Sequence, residues 1–374
     1  MNTPTRKPAD VFFCNTRTTP FGDSLPDKLV ALARAAGMDA IDFKDKFVAI
    51  KIHFGERGNL SFIRPNFVRA LALEIKRLGG RPFLTDCNTL YVGYRRDALS
   101  HLETAALNGF NPTTTACEIL IGDGLKGTDE AVVPVPGGRD VKEARIGRAV
   151  MDADIVISLN HFKGHEALGF GGALKNIGMG CASRAGKMDQ HSDSKPVVDP
   201  AKCIACRLCA SVCAHAAHDF STGKARIDPA KCVGCGLCVS RCPRDAIEPD
   251  WSNESTGAID RKMVEYALAT LHGRPHFHLS LAIDISPNCD CHPENDAPIV
   301  PDVGFFASFD PVAIDQACAD AVNRQPRIPS ALLASRPADP DHFHAANPAT
   351  DWSLALAHAE ELGLGTRQYT LHAV

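Results

Sequence analysis

The chain has 374 residues, of which 45% are hydrophobic and 22% charged, and its formal net charge is −4. The apolar content is too high for a disordered chain and 29 glycines are too few for collagen, so a globular protein is expected. At roughly 100 to 200 residues per domain the length predicts two or three domains, and the nearly balanced charge gives no indication of a nucleic-acid partner.

Short apolar runs alternate with amphipathic segments along most of the chain. Buried strands are predicted over 48–52, 82–85, 118–121, 155–159 and 277–285. Amphipathic helices are predicted over 65–78, 261–272, 311–323 and 352–363. In the first helix, Pro65 suits the first helical position and Gly79 is placed as the C-terminal stop. The alternation predicts an α/β domain with a largely parallel sheet.

Polar segments follow each of the five predicted strands. They are residues 53–57, 86–89, 123–124, 160–165 and 288–292. Ligands of open α/β sheets bind outside the carboxyl ends of the strands, so we expect these segments to form one rim. The alternative is that each is an ordinary polar loop.

The segment after the fourth strand carries the predicted catalytic residues, His161, Lys163 and His165. Two imidazoles and an ammonium group suit proton donation or the binding of an anion.

A glycine-rich run follows at 169–180. Its backbone N–H groups can approach an anion, and the predicted anion-binding residues are Gly171, Gly172, Lys175 and Asn176. The run matches neither the Walker A pattern nor the Rossmann fingerprint, so no nucleotide is inferred. The alternative is a tight loop whose glycines only allow close packing.

The chain contains fifteen cysteines, and its first residues lack the apolar run of a secretory signal. No apolar stretch approaches the ~20 residues of a membrane helix. We therefore expect a cytoplasmic protein without a membrane span, in which thiols stay reduced and bind metal more often than they form disulfides.

An internal repeat contains eight of these cysteines. The spacing Cys-x2-Cys-x2-Cys-x3-Cys occurs twice, each time preceded by Asp-Pro-Ala-Lys, with an offset of 29 residues. Three cysteines at this spacing hold one 4Fe–4S cluster, and the fourth completes the other cluster. The predicted ligand sets are Cys203, Cys206, Cys209 and Cys242 for the first cluster, and Cys232, Cys235, Cys238 and Cys213 for the second. Two structural zinc sites are the alternative, but they would not explain the full spacing twice over.

Residues 196–250 resemble a bacterial-type ferredoxin with two 4Fe–4S clusters. The family usually has proline after the fourth cysteine of each copy; here Pro243 follows Cys242, but Ala214 follows Cys213. Because predicted strands lie on both sides, we expect this ferredoxin module to be inserted into one discontinuous α/β domain formed by residues 1–195 and 251–374. Two independent flanking domains are the alternative.

Two further thiols and an imidazole are packed into four residues after the last strand. Cys289, Cys291 and His292 are candidate ligands for an additional metal ion, with His161 or His165 as a fourth ligand. Alternatively, the two cysteines are buried apolar residues or a redox-active thiol pair.

Several flanking segments resemble the domain-of-unknown-function-362 family of uncharacterised iron–sulfur center proteins. They are residues 50–56, 86–91, 161–180, 289–291 and 309–315. The resemblance covers about residues 10 to 325 and includes the inserted ferredoxin. It implies an iron–sulfur protein and no assigned reaction.

Three functions are consistent with these features. In the first, the chain is an oxidoreductase whose two clusters exchange electrons with a small-molecule substrate or a metal at the rim. In the second, it is an electron carrier or adaptor that docks to a redox partner protein. In the third, it handles metals or clusters for other proteins.

Overall fold

The computed structural model describes residues 7–91, 93–192, 195–250 and 257–374. Within these residues, an eight-stranded sheet has the strand order β16-β1-β15-β14-β7-β2-β3-β4. Its strands are β1 (Ala9–Cys14), β2 (Phe47–Lys51), β3 (Arg81–Asp86), β4 (Glu118–Ile121), β7 (Ile155–His161), β14 (His276–Ala282), β15 (Gly304–Ser308) and β16 (Tyr369–Ala373). Among them β15 alone runs antiparallel to its neighbours, so the predicted α/β class with a mostly parallel sheet is confirmed.

The five predicted strands are the five consecutive parallel strands β14, β7, β2, β3 and β4. Strand β14 ends earlier than predicted, at Ala282 rather than at residue 285. The cause is local, because Asp284 has a left-handed backbone (φ 47°) that no strand accommodates.

The remaining strands of the described chain form two-stranded ribbons. They are β5 (Glu130–Pro134) with β6 (Glu143–Gly147), β8 (Lys163–His165) with β9 (Gly169–Gly171), β10 (Pro196–Val198) with β13 (Ile247–Pro249), and β11 (His218–Asp219) with β12 (Arg226–Ile227).

The helices include all four that the sequence predicts. They are α1 (Leu25–Ala35), α2 (Pro65–Arg77), α3 (Ala98–Leu107), α4 (Pro112–Thr115), α5 (Arg148–Asp152), α6 (Ala173–Gly178), α7 (Arg184–Ser192), α8 (Leu208–Ser211), α9 (Leu237–Arg241), α10 (Ala258–Leu271), α11 (Pro311–Asn323), α12 (His342–Ala346) and α13 (Ser353–Glu361). None of the helices that the structure describes is both long enough and apolar enough to cross a membrane.

Helices cover both faces of the sheet. Along β7, Ile155 and Ile157 pack in the apolar core that includes α1 and α2, whereas Val156 packs in the core that includes α6, α10, α11 and α13. The alternation follows from the period of two along a strand. On the first face, α1 and α2 are also joined by Glu74, whose carboxylate accepts hydrogen bonds from Arg34 (2.7 and 2.6 Å) and Arg77 (2.8 and 2.7 Å).

Residues 196–250 repeat their backbone as well as their sequence. Left-handed backbone conformations occur at three positions of the first copy and at the positions 29 residues later: Ala205 and Gly234, Arg207 and Gly236, Ala216 and Asp245. The predicted boundaries at 195–196 and 250–251 adjoin residues 193–194 and 251–256, which lie outside the described residues. The insertion of a separate domain between them stays a prediction.

Candidate functional site

A cavity of about 440 Å³ opens at the carboxyl ends of the parallel strands. Four of the five polar segments that follow the strands contribute to its lining, through His53, Asp86, His161 and Asp290 among others. The fifth segment lies beneath it, where Asp123 accepts hydrogen bonds from the backbone and side chain of Asn88 (2.9 and 2.8 Å). The parallel strands therefore bring most of the predicted rim together.

A buried ion pair lies at one side of this cavity. The Lys51 ammonium lies 3.0 Å from the Asp86 carboxylate and donates to the side-chain oxygen of Asn176 at 2.7 Å. Burial opposes ionisation of Asp86, but Lys51 and the nearby histidines hold the pKa of this carboxyl well below its ordinary value. Arg95 is also buried and pairs with Glu56 at 3.1 Å. These groups form a charged wall in which each cation has a counter-charge.

His161 is held at both ring nitrogens. Its Nδ1 lies 2.8 Å from the Asp290 carboxylate, and its Nε2 lies 2.8 Å from the Ile283 carbonyl oxygen. Despite burial, His161 and Lys163 keep the pKa of Asp290 well below its ordinary value. A ligand would have to displace one of these acceptors to exchange a proton with this ring; the predicted catalytic role of His161 stays a prediction.

The environment of His165 differs from that of His161. Its Nδ1 accepts hydrogen bonds from the backbone N–H groups of Ala167 and Leu168, both at 3.1 Å, which leaves the proton of the neutral ring on Nε2. Burial lowers the pKa of His165 and favours this neutral form. Of the two histidines, His165 is therefore the one whose Nε2–H can donate a hydrogen bond within the cavity.

Two lysines lie across the glycine of β9. A Cβ atom on Gly171 would lie 2.7 Å from Lys163 Nζ and 3.2 Å from Lys175 Cδ, so only glycine lets both side chains pass. Lys175 Nζ contacts Cys289 Sγ at 3.2 Å. Although burial alone would lower it, the neighbouring Cys289 sulfur raises the pKa of Lys175.

The backbone of the glycine-rich run binds a carboxylate of the protein itself. The N–H groups of Ala173 and Leu174, at the start of α6, donate to Asp315 at 2.7 and 2.9 Å. A Cβ atom on Gly172 would lie 2.2 Å from the same carboxylate. Burial raises the pKa of Asp315 to about 7. Asn176, the last residue of the predicted anion site, bonds to Lys51 and Asn160. Of that predicted set, Lys175 alone presents a positive charge to the cavity.

Cys289 and Cys291 lie together beside these lysines. The Cys291 thiol donates to the Cys289 sulfur, and this hydrogen bond together with Lys175 and Lys163 holds the pKa of Cys289 well below its ordinary value. The pKa of Cys291 is raised by the same contact and by burial. Of the two sulfurs, Cys289 is therefore the one on which negative charge is favoured.

Three potential metal ligands meet at the mouth of the cavity. Ligand atoms of Glu166, Cys291 and His292 lie within 4.8 Å of one another, and His292 Nε2 lies 2.8 Å from Glu166 Oε1. Of the three predicted ligands of an additional metal, Cys291 and His292 therefore lie together with Glu166. The third, Cys289, contacts Lys175 instead.

The eight repeat cysteines line two separate small cavities. Cys203, Cys206, Cys209 and Cys242 line one, and Cys213, Cys232, Cys235 and Cys238 line the other. Each group draws three cysteines from one sequence copy and the fourth from the other copy. The fifteen cysteines, all within the described residues, form no disulfide.

Backbone N–H groups point at several of these sulfurs. Ala246 N donates to Cys242 Sγ at 3.2 Å, and its counterpart Ala217 N donates to Cys213 Sγ at 3.5 Å. Cys203 Sγ accepts from Ala205 and Ala225, both at 3.4 Å, and these bonds lower the pKa of its thiol. Donors of this kind stabilise negative charge on sulfur, so the donor set fits a group that is bound through thiolates.

The cysteine cavities lie next to the main cavity. On β13, Ile247 lines the first cysteine cavity and Pro249 lines the main one. Leu90 lines the main cavity and belongs to the apolar cluster that contains Cys209 and Cys238. Strand β13 and the apolar cluster around Leu90 therefore connect the two kinds of cavity.

The chain matches one protein family over most of its length. A family model described as "Domain of unknown function (DUF362)" matches residues 48–320. The chain belongs to this family. The match spans the five parallel strands and all the cysteines of the repeat.

Individual relatives are more distant. A thylakoid-associated protein of Synechocystis sp. is 29% identical over 163 residues, which are 40% of this chain and 44% of that protein, so the alignment spans less than half of the relative's length. Among solved structures, the lactate racemase apoprotein of Thermoanaerobacterium thermosaccharolyticum has a TM-score of 0.39 and 14% identity, covering 73% of this chain and 51% of that one. A protein from Thermotoga maritima has a TM-score of 0.36 and 13% identity, covering 79% and 57%. Likenesses this weak carry no implication for the activity of this DUF362 protein.

Several residues of the main cavity were not among the predicted site residues. They are Lys51, Tyr91, Arg95, Glu166 and Lys187. Lys51 could have been found, because a lysine that ends an otherwise apolar strand is unusual unless it is paired. Arg95 and Lys187 lie in polar surroundings in the sequence and have no comparable local signal.

Proposed function

We propose that the chain is an iron–sulfur redox protein whose eight repeat cysteines hold two 4Fe–4S clusters, and that the main cavity binds the molecule that is oxidised or reduced. One-electron transfer is the chemistry that such clusters supply when bound. The observation that carries the proposal is the sorting of the eight cysteines into two cavities, each with three members from one copy and one from the other.

The donor set supports clusters over zinc. Reciprocal exchange of the fourth ligand between copies is a property of two-cluster ferredoxins, and a pair of structural zinc sites gives no reason for it. The N–H groups aimed at the sulfurs of Cys203, Cys213 and Cys242 would stabilise thiolate charge in either case. The spacing and the reciprocity together are the argument.

The main cavity favours an enzyme over a pure electron carrier. A carrier needs a docking surface, whereas this protein has a concave cavity lined by buried cations, His165 and Cys291 beside the cysteine module. In such a site His165 is the group that can donate a hydrogen bond from its Nε2–H, and His161 is held by Asp290 as a positioning residue.

Metal and sulfide analysis of the anaerobically purified full chain tests the clusters. We expect about eight iron and eight sulfide per chain, and electron paramagnetic resonance signals of 4Fe–4S clusters after reduction. Two zinc ions per chain and no sulfide would overturn the proposal.

A second experiment distinguishes the enzyme from a carrier. The reduced protein is mixed with single members of a panel of small organic compounds, and reoxidation is followed by the visible absorbance of the clusters. A compound that reoxidises the wild type should react more slowly with the His161→Ala and Cys289→Ala variants, while a viologen dye should react equally with all three. Equal rates for every compound would favour the carrier.

Metal handling is a second candidate function, and the group at the cavity mouth favours it. Glu166, Cys291 and His292 offer a carboxylate, a cysteine sulfur and an imidazole, a set that suits zinc or ferrous iron. This candidate predicts one further metal ion per chain that a His292→Ala variant loses while its cluster iron is unchanged.

A further inference from the structure

The main cavity is richer in cations than its acidic groups can neutralise. Among the described residues that line it, the cationic side chains are Lys51, Arg95, Lys163, Lys175 and Lys187, and the carboxylates are Asp86, Glu166 and Asp290. Burying an ionised group without a partner is costly, so each of these cations is expected to have one.

Four of the five cations do have a partner. Lys51 contacts Asp86 at 3.0 Å and Arg95 contacts Glu56 at 3.1 Å. Lys175 donates to the Cys289 sulfur at 3.2 Å, and Lys187 donates to a backbone carbonyl oxygen at 2.6 Å.

Lys163 is the exception. Lys163 is 5% exposed and lines the cavity. No group within the described part of the chain forms a hydrogen bond or ion pair with its ammonium. The nearest carboxylates are engaged elsewhere: Asp290 with His161, and Asp315 with the backbone of α6. The Lys163 side chain is thus largely buried while its ammonium, with three free donors, is accessible from a space that a ligand can enter.

The surroundings of Lys163 restrict what that ligand can be. The N–H groups of the glycine-rich run are occupied by Asp315, so the backbone does not supply an anion cradle. The two ammonium-bearing side chains, Lys163 and Lys175, instead cross the same glycine, Gly171. Unlike the planar guanidinium of arginine, a lysine ammonium acts as a point charge, so two lysines suit a compact oxyanion.

We propose that the cavity binds a small molecule through an oxyanion group, a carboxylate or a phosphate, placed against Lys163 and Lys175. The inference rests on the proposed function and names the substrate class of that site. A cavity of about 440 Å³ is of the size that takes a small metabolite. The rest of such a molecule lies toward the Cys291 sulfur and the Nε2–H of His165, which also line the cavity.

Isothermal titration of the anaerobically purified full chain tests this. The carboxylate probe is succinate with succinamide as its neutral counterpart, and the phosphate probe is glycerol 3-phosphate with glycerol as its counterpart. At least one anionic probe should bind and its neutral counterpart should not. Which probe binds tells whether the oxyanion is a carboxylate or a phosphate.

The variants locate the binding. Lys163→Met should weaken the affinity at least tenfold, because it removes a charged hydrogen-bond donor, while Lys163→Arg should retain most of it. Lys44→Met is the matched control, since Lys44 is exposed and precedes β2 at the opposite edge of the sheet, and its affinity should be unchanged. Equal affinities in wild type and Lys163→Met would overturn the inference.

Hydrogen–deuterium exchange of the wild type keeps the test decisive if the Lys163→Met variant fails to fold. The bound probe should protect peptides that cover residues 161–176. Protection elsewhere, or no binding of any anionic probe, would refute the site. Iron and sulfide are measured on the same samples. An intact cluster content with no anion binding would count against this inference alone. Anion binding by a protein without clusters would count against the proposed function alone.

Discussion

Two double variants that share Cys232 separate two ways of arranging the clusters. Cys213→Ala with Cys232→Ala removes two cysteines from one cavity and leaves the four cysteines of the other cavity intact. Cys232→Ala with Cys242→Ala removes two cysteines from one sequence copy, but takes one from each cavity. If each copy held its own cluster, the second pair would spare a complete site and the first would not.

The expected magnitudes follow from the cavity assignments. A cluster with four ligands holds about four irons, so the first pair should retain about four iron and four sulfide per chain, with one cluster whose spectrum is unaltered. The second pair should retain no cluster with an unaltered spectrum. The assays are iron and sulfide analysis and electron paramagnetic resonance of the reduced proteins.

A folding control accompanies both pairs. The circular dichroism of the variants should match that of the wild type, because the eight-stranded sheet contains none of these cysteines. An unaltered cluster in the second pair, together with none in the first, would refute the reciprocal assignment.

Three further predictions concern stability, measured by urea unfolding of the purified chain. Lys51→Met should lower the free energy of unfolding by about 3 to 5 kcal/mol, because it leaves the buried Asp86 carboxylate without its nearest counter-charge; a change below 1 kcal/mol would contradict the ion pair. Glu74→Gln should cost about 1 to 2 kcal/mol at pH 7, since two arginines lower the pKa of Glu74 to about 2 in the folded state. That difference should be present above the unfolded pKa near 4.5 and should disappear as the pH falls toward 2; a pH-independent difference would show that the charge is not its cause. Gly236→Ala and Gly223→Ala both place a side chain on a left-handed backbone, but of the two sites only Gly223 has open space around it. Gly236→Ala should therefore lower the free energy of unfolding by about 2 to 4 kcal/mol and Gly223→Ala by about 1 kcal/mol. Equal losses would argue against close packing at Gly236.

The parallel part of the sheet could be predicted from the sequence because its strands are buried on both faces. Runs such as 48–52 and 155–159 are apolar at nearly every position, which distinguishes them from half-exposed strands. The edge region could not be predicted in the same way. β16 is mostly exposed or intermediate, and its place beside β1 depends on a pairing between residues more than 350 positions apart, such as Ala9 with Tyr369.

The sequence predicts those parts of the candidate site that directly follow the carboxyl ends of the parallel strands. His161, Lys163 and His165 meet Cys291 and His292 at one cavity because their strands are parallel neighbours. The partners of individual groups were not predictable, because they depend on side-chain directions. Examples are the carboxylate of Asp315 on the backbone of α6 and the placement of Glu166 rather than Cys289 beside His292.

The left-handed positions of the repeat bear on how the protein would acquire its cofactors. The second copy has glycine at two of its three left-handed positions, whereas the first copy has Ala205, Arg207 and Ala216. Each residue with a Cβ atom in that conformation costs about 1 to 2 kcal/mol, so the loop of the first copy is the more strained before any metal is bound. The cavity of Cys213, Cys232, Cys235 and Cys238 is built mainly from the relaxed loop. If the two cavities hold the proposed clusters, loading should therefore be sequential: that cavity should be filled first, and the cavity of Cys203, Cys206, Cys209 and Cys242 should be emptied first when iron is scarce.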